Sequence, residues 1–173
     1  FSRYNVLPKE QKAAFLNNLK TQHPKIVELF TFCLMPNHIH LLLREIEVKG
    51  ISTLMRNFQN SYAKYFNTKF ERTGALFQSM FKAVRIETDA QLLHVCRYIH
   101  LNPRTSYLIR DTAELDNYKW SSWINYNQGG ETDFINTSFI LGHFPTIEKF
   151  RTFSLDQIDY QRKLDEIKHL LLE

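Results

Sequence analysis

IVELFTFCLMPNHIHLLLR, residues 26–44, is the stretch on which the fold of this chain turns. Ile26 to Leu34 is rich in β-branched and aromatic side chains, and this composition predicts a strand. Met35-Pro36-Asn37 is expected to turn, because Pro36 has no N–H to give to a sheet ladder and Asn37 tolerates turn geometry. His38 to Arg44 then resumes as the second arm of a hairpin. Strand side chains alternate, so His38, His40 and Leu42 share one face while Ile39, Leu41 and Leu43 share the other. The three aliphatics are expected to pack into the core, leaving two imidazoles side by side on the opposite face. Imidazoles at i and i+2 can converge on one divalent metal. Taken alone, paired histidines on a half-exposed strand are more often non-ligands.

Working outward from the hairpin, Pro8 to roughly Lys20 reads as a helix, with Pro8 suited to the first turn. Ile51 to about Asn67 is a stronger amphipathic helix: Ile51, Leu54, Met55, Phe58, Tyr62, Tyr65 and Phe66 fall on i, i+3, i+4 spacing and form the expected buried stripe. Arg56, Asn60 and Lys64 recur along another face. After a loop around Thr73-Gly74, Met80 to Glu87 reads as a strand. Thr88-Asp89 offers an N-cap, and the helix that follows is expected to stop at Asn102, before Pro103. Trp120-Ser121-Ser122-Trp123 opens a short helix, Gly129-Gly130 is a loop, and Tyr160 to Leu172 reads as a terminal helix. Helices around an antiparallel sheet make an α+β layered fold.

At 173 residues, 43% hydrophobic and 23% charged, the chain has the size and composition of one soluble globular domain. No apolar run is long enough to span a bilayer, and nothing near Phe1 reads as a signal peptide, so the expected setting is cytoplasmic. Phe1 is not Met, which suggests a start that is trimmed or missing. Cys33 and Cys96 both sit in apolar patterns and read as reduced core cysteines. Charge is unevenly spread. From Lys49 to Arg110 ten Lys and Arg face three acids, a net +7, while the rest of the chain carries −3. That asymmetry is the electrostatic footprint of a nucleic-acid groove. Arg56, Lys64, Lys82, Arg85, Arg97 and Arg104 are its candidate phosphate contacts, and Phe77 a candidate base-stacking residue.

The second chemical feature is Arg97-Tyr98-Ile99-His100-Leu101-Asn102-Pro103. On a helical wheel Leu92, Cys96 and Ile99 centre the buried stripe. Tyr98 and Asn102, four apart, lie together off that centre. A tyrosine hydroxyl near pKa 10 is a poor nucleophile at neutral pH unless something assists it. A metal that polarises a phosphodiester would supply that help. Two histidines and the Asn102 amide oxygen would leave coordination positions open for the phosphate.

Four blocks carry a resemblance. CLMPNHIHLLL (33–43) is similar to the histidine–hydrophobic–histidine segment of the single-tyrosine transposases of the HUH nuclease superfamily, the IS200-like family. GALFQSMFK (74–82) resembles a second family block, YIHLNPR (98–104) the block bearing the nucleophile, and WSS (120–122) a later one, all in the family's order. The nearest branch is that of the REP-associated tyrosine transposases. The resemblance implies a ferredoxin-like, RRM-like antiparallel sheet with helices packed on it. It implies Tyr98 as nucleophile, His38 and His40 as metal ligands, and Asn102 completing the site where many relatives have Gln. It implies Mg²⁺ or Mn²⁺, and cleavage and rejoining of single-stranded DNA, at a hairpin or palindromic repeat, through a 5′-phosphotyrosine. On this reading residues 1–112 form the nuclease core, lacking the family's first strand, and 113–173 a C-terminal helical extension of the same globular unit. Monomer and homodimer remain open. Two alternatives are a domesticated repeat-processing nickase with the same chemistry and a non-catalytic nucleic-acid-binding module. The latter would need none of His38, His40, Tyr98 and Asn102.

Overall fold

The computed structural model describes residues 6–78, 80–128 and 134–158; the Gly129-Gly130 loop and the helix expected over 160–172 lie outside them. In chain order the elements are α1 (Lys9–Gln22), β1 (Val27–Leu34), β2 (Ile39–Glu45), α2 (Gly50–Lys69), α3 (Asp89–Thr105), α4 (Thr112–Asp116), α5 (Trp123–Gln128), α6 (Ser138–Leu141) and α7 (Ile147–Leu155). The fold is α+β. Among the described residues the sheet is the antiparallel pair β1–β2, and the other regular elements are helices. The hairpin closes where the Met35 N–H donates to the His38 carbonyl at 2.9 Å, so Pro36-Asn37 is the tip. The chain divides into two compact units, one of Phe1–Val27 with Glu45–Val84 and one of Glu28–Arg44 with Arg85–Glu173.

In the first unit, the Ile26 carbonyl accepts from the N–H groups of Ile46 and Glu47, both at 3.1 Å. This brings the start of α2 hard against Ile26, and a Cβ on Gly50 would stand 2.2 Å from that same carbonyl oxygen. Alanine at a helical glycine usually stabilises by up to about 1 kcal/mol. Gly50→Ala is expected to do the reverse, costing roughly 2 kcal/mol because backbone must shift to admit the methyl. A urea midpoint equal to or above wild type would overturn this reading of the contact.

The stripe of α2 is buried less than its pattern suggests. Gly50 and Met55 are buried, but Phe58, Tyr62 and Tyr65 are exposed, which corrects the expectation of Tyr62 as a core residue. A helix of 20 residues is about 30 Å long. Its stripe is buried only where another element covers it. Met80 to Glu87, expected as a strand, forms no ladder, with Met80 and Val84 almost fully exposed. β-propensity reports fitness for a half-buried pleated surface, and these residues have no strand neighbour among the described ones.

In the second unit the core gathers Phe30, Cys33, Leu42, Cys96, Ile99 and Leu101 with Leu115, Trp123, Tyr126, Ile140 and Phe150. The edge of β1 is covered from within the unit: Leu34 N–H donates to the Trp120 carbonyl at 2.7 Å. Single bridges join Cys33 to Ser121 and Leu29 to Ile135. Thr88 caps α3, its hydroxyl accepting from the Gln91 N–H at 3.2 Å. The helix does not stop at Asn102 but continues through Pro103 to Thr105. Pro103 stands in the last turn, where its ring removes only one ladder donor. There the Thr105 hydroxyl also lies 3.3 Å from both the Leu101 and Asn102 carbonyls.

Candidate active site

α3 decides which face of the hairpin becomes core. Its Cys96 thiol lies 3.2 Å from the Thr31 hydroxyl of β1, and its Tyr98 ring meets the His40 ring of β2 edge-on, with centroids 5.7 Å apart. The helix therefore covers the face that carries His40 and Leu42. Leu42 is buried, whereas Ile39, Leu41 and Leu43 are half-buried. This corrects the expectation that the Ile39–Leu41–Leu43 face is the core and the imidazoles point away from it. The histidines lie at the tip end of the covered face, where packing gives out to solvent: His40 is half-buried and His38 exposed.

The two imidazoles point at each other. His38 Nε2 and His40 Nε2 are 3.0 Å apart, with the rings perpendicular. His38 Nδ1 is 2.6 Å from Asn37 Oδ1. A neutral imidazole that donates from Nδ1 to that amide oxygen has its lone pair on Nε2, the nitrogen that faces His40. Burial, and then the neighbouring His38, lowers the pKa of His40 and keeps that ring neutral. Two ligands about 2.1 Å from an octahedral ion on adjacent positions stand about 3.0 Å apart. The pair fits one divalent cation.

Asn102 is one helical turn beyond Tyr98 and, contrary to the outward position expected for it, is buried; its Nδ2 has no hydrogen-bond partner. Since amide N and O are assigned from the surrounding network, a flipped amide would present its oxygen at that unpartnered position. Two imidazoles, even were the Asn102 amide to join them, would be a sparse ligand set, and no cluster of three His, Cys, Asp or Glu occurs among the described residues. Such a site would need waters and a substrate phosphate to complete it.

The basic candidates divide. Arg56, Lys64 and Lys82 are exposed in the first unit, and Arg85 in the second. Arg97 is placed otherwise: it is buried, donates to the Phe153 carbonyl at 3.1 Å, and lies over the Phe153 ring. That guanidinium is committed to holding α7 on α3. Arg104 is half-buried, and Phe77 packs 6.3 Å from Tyr62 in the first unit.

Two residues beside the site went unremarked in the sequence. Asn37 looked like turn chemistry, although its position directly before a ligand-spaced histidine was the available signal. His100 is fully buried, with Nε2 2.8 Å from Ser122 Oγ, and Ser122 accepts from the Phe32 N–H at 2.9 Å. This relay pins α3 to β1 and so holds Tyr98 in place. Burial drops the His100 pKa from 6.5 to about 3. Between those values the unfolded chain takes up a proton that the folded chain refuses. The stability is therefore whole above pH 6.5 and falls with pH down to about 3. At 1.36 kcal/mol per unit the loss reaches roughly 5 kcal/mol at about pH 3. Urea titrations at pH 7 and pH 4 should show a large difference for wild type and a smaller one for His100→Gln. Equal differences would exclude His100 as the source.

A family model described as transposase IS200-like matches residues 2–102, which include the hairpin, both histidines, Tyr98 and Asn102. No curated protein and no solved structure matches the chain.

Proposed function

The chain belongs to the IS200-like transposase family, whose members are DNA-binding, DNA-cleaving enzymes that generally depend on a divalent metal, and from that premise we propose that it cuts and rejoins single-stranded DNA with Tyr98 as nucleophile and His38, His40 and Asn102 as its metal site. The observation that carries this reading is the edge-on contact of Tyr98 with His40 at 5.7 Å, beside imidazole nitrogens 3.0 Å apart. A purely DNA-binding surface has no use for that juxtaposition. The contact lies within one chain, which favours a tyrosine acting in cis.

Each residue has a defined part. Asn37 holds His38 in the tautomer whose Nε2 faces His40, and desolvation keeps His40 neutral. Asn102, whose Nδ2 position has no partner, would offer its amide from one turn along the helix that bears Tyr98. Tyr98 Oη forms the new bond to phosphorus while the bond to the leaving 3′ oxygen breaks, leaving a 5′-phosphotyrosine and a free 3′-hydroxyl. A bound Mg²⁺ or Mn²⁺ supplies charge neutralisation at the phosphoryl oxygens. Rejoining is the same exchange run by another 3′-hydroxyl and needs no ATP. Asn102, where many relatives have Gln, favours the REP-associated branch and hence a hairpin or palindromic substrate.

The experiment is incubation with a 5′-labelled and a 3′-labelled hairpin oligonucleotide carrying a single-stranded flank, with Mn²⁺ or with chelator. The expected result is a denaturation-resistant protein–DNA band with the 3′-labelled substrate only, and only with metal. No band under any metal would favour the binding-module reading.

A further inference from the structure

Resting on the reading of a single-stranded DNA substrate, we infer that the C-terminal half of α2 and the loop after it form a second DNA site, one that stacks unpaired bases and is built from residues other than those of the tyrosine centre. Tyr62 is its hub. Its ring packs against Phe58 with planes within 5° and centroids 6.2 Å apart, and against Tyr65, Phe66 and Phe77 at 6.2–6.3 Å. Phe66 in turn packs on Phe70 at 4.5 Å. These rings are not core: Phe58, Tyr62 and Tyr65 are each about 40% exposed and Phe70 is 56% exposed.

The platform is built rather than accidental. Glu71 at φ 50° and Gly74 at φ 91° turn the chain back after the helix. Asn67 Nδ2 then donates to the Gly74 carbonyl at 2.9 Å, and Arg72 donates to the Ala75 carbonyl at 3.3 Å. The loop is thereby tied to α2, with Phe77 laid on Tyr62.

Charge identifies the occupant. Lys69 Nζ sits 5.6 Å over the Tyr65 ring and 5.5 Å from Phe70, while the Arg72 guanidinium lies 5.7 Å over Phe66. From Lys49 to Ile86 the chain has seven basic residues and one acid, Glu71. A protein partner fits an apolar core with a mixed polar rim. Contiguous rings rimmed by Lys69 and Arg72, in a segment with seven basic residues and one acid, match a polyanion that carries its own flat rings. Duplex DNA keeps its base faces stacked on each other, so the ligand is a single strand.

The test uses the full chain in chelator, which prevents cleavage, and fluorescence anisotropy with two labelled probes: a dT 20-mer and the same backbone without bases. Wild type should bind dT about tenfold or more tightly than the abasic probe. Tyr62→Ala should lower dT affinity by about tenfold without changing the salt dependence, and should bind the abasic probe like wild type. Tyr62→Trp should restore the preference, so an effect of misfolding is told apart from loss of stacking. Lys69→Ala with Arg72→Ala should instead flatten the salt slope by about 0.7 for each phosphate no longer neutralised. Equal affinity of wild type for both probes overturns the inference, as does a Tyr62→Ala protein that prefers dT like wild type. So does a Tyr62→Ala protein whose only change is dissociation of a dimer in sedimentation, which would make the face an interface between copies. Any of these results leaves the Tyr98 reading standing if the metal-dependent covalent band still forms, and its absence sinks that reading independently.

Discussion

Tyr98→Phe should abolish strand cleavage and the covalent protein–DNA band together, by a factor on the order of 10⁴ or more, because no other group at that position can take the phosphoryl bond. The fold should survive. Phenylalanine keeps the edge-on packing against His40, so the stability change should stay within about 1 kcal/mol. Binding to the oligonucleotide should persist as well, since it depends on cations and rings elsewhere. Tyr107→Phe is the control: Tyr107 lies exposed past the end of α3, and its variant should cleave like wild type. A Tyr98→Phe protein that still forms the adduct would move the nucleophile to another tyrosine. Mixing Tyr98→Phe with His40→Ala tests the cis arrangement. Recovery of cleavage in the mixture would mean that one copy's tyrosine serves another's histidines.

Alanine at His38 or His40 should lower Mn²⁺-dependent cleavage by about a hundredfold or more, with activity partly recovered at high metal concentration. Each variant removes one of the two nitrogens that face each other across 3.0 Å, and a single imidazole cannot hold the ion in that geometry. Metal binding should be followed directly by electron paramagnetic resonance of Mn²⁺, which reads affinity without turnover. Asn102→Ala should be milder because water can replace a neutral oxygen. Asn37→Ala should weaken Mn²⁺ binding by about tenfold, as expected when a ligand is no longer oriented by its hydrogen bond. Wild-type rates in both histidine variants would end the metal assignment.

The alternation of His38, Ile39, His40, Leu41 and Leu42 showed which side chains travel together, because the strand repeat is two whatever the surroundings. It left open which set would be covered. Both sets are apolar enough to pack, and only the docking of α3 on the His40–Leu42 face chose between them. The same step brought Tyr98 to His40, a contact between residues 58 positions apart that no local pattern encodes. Likewise the spacing of Tyr98 and Asn102 put both on one side of a helix, but the depth of Asn102 came from its surroundings. The last turns of α3 are buried nearly all round, in a core that includes Leu115, Trp123, Tyr126 and Phe150.

Elsewhere the local signals met the limit of their reach. The N-cap at Thr88 and the Pro36-Asn37 turn were readable because each is settled within a few residues by side-chain hydrogen bonding or by a missing donor. The sequence by itself determined the hairpin, the main helices, the pairing of histidine with histidine and of tyrosine with asparagine, and the basic middle segment. These depend on periodicity and charge, which are properties of the chain alone. The tertiary structure decided which hairpin face is core, that Arg97 is committed to Phe153, that Tyr62 is exposed, and that Met80 to Glu87 forms no ladder. Each of these depends on what a residue packs against, and burial is a free energy shared with a partner distant in sequence.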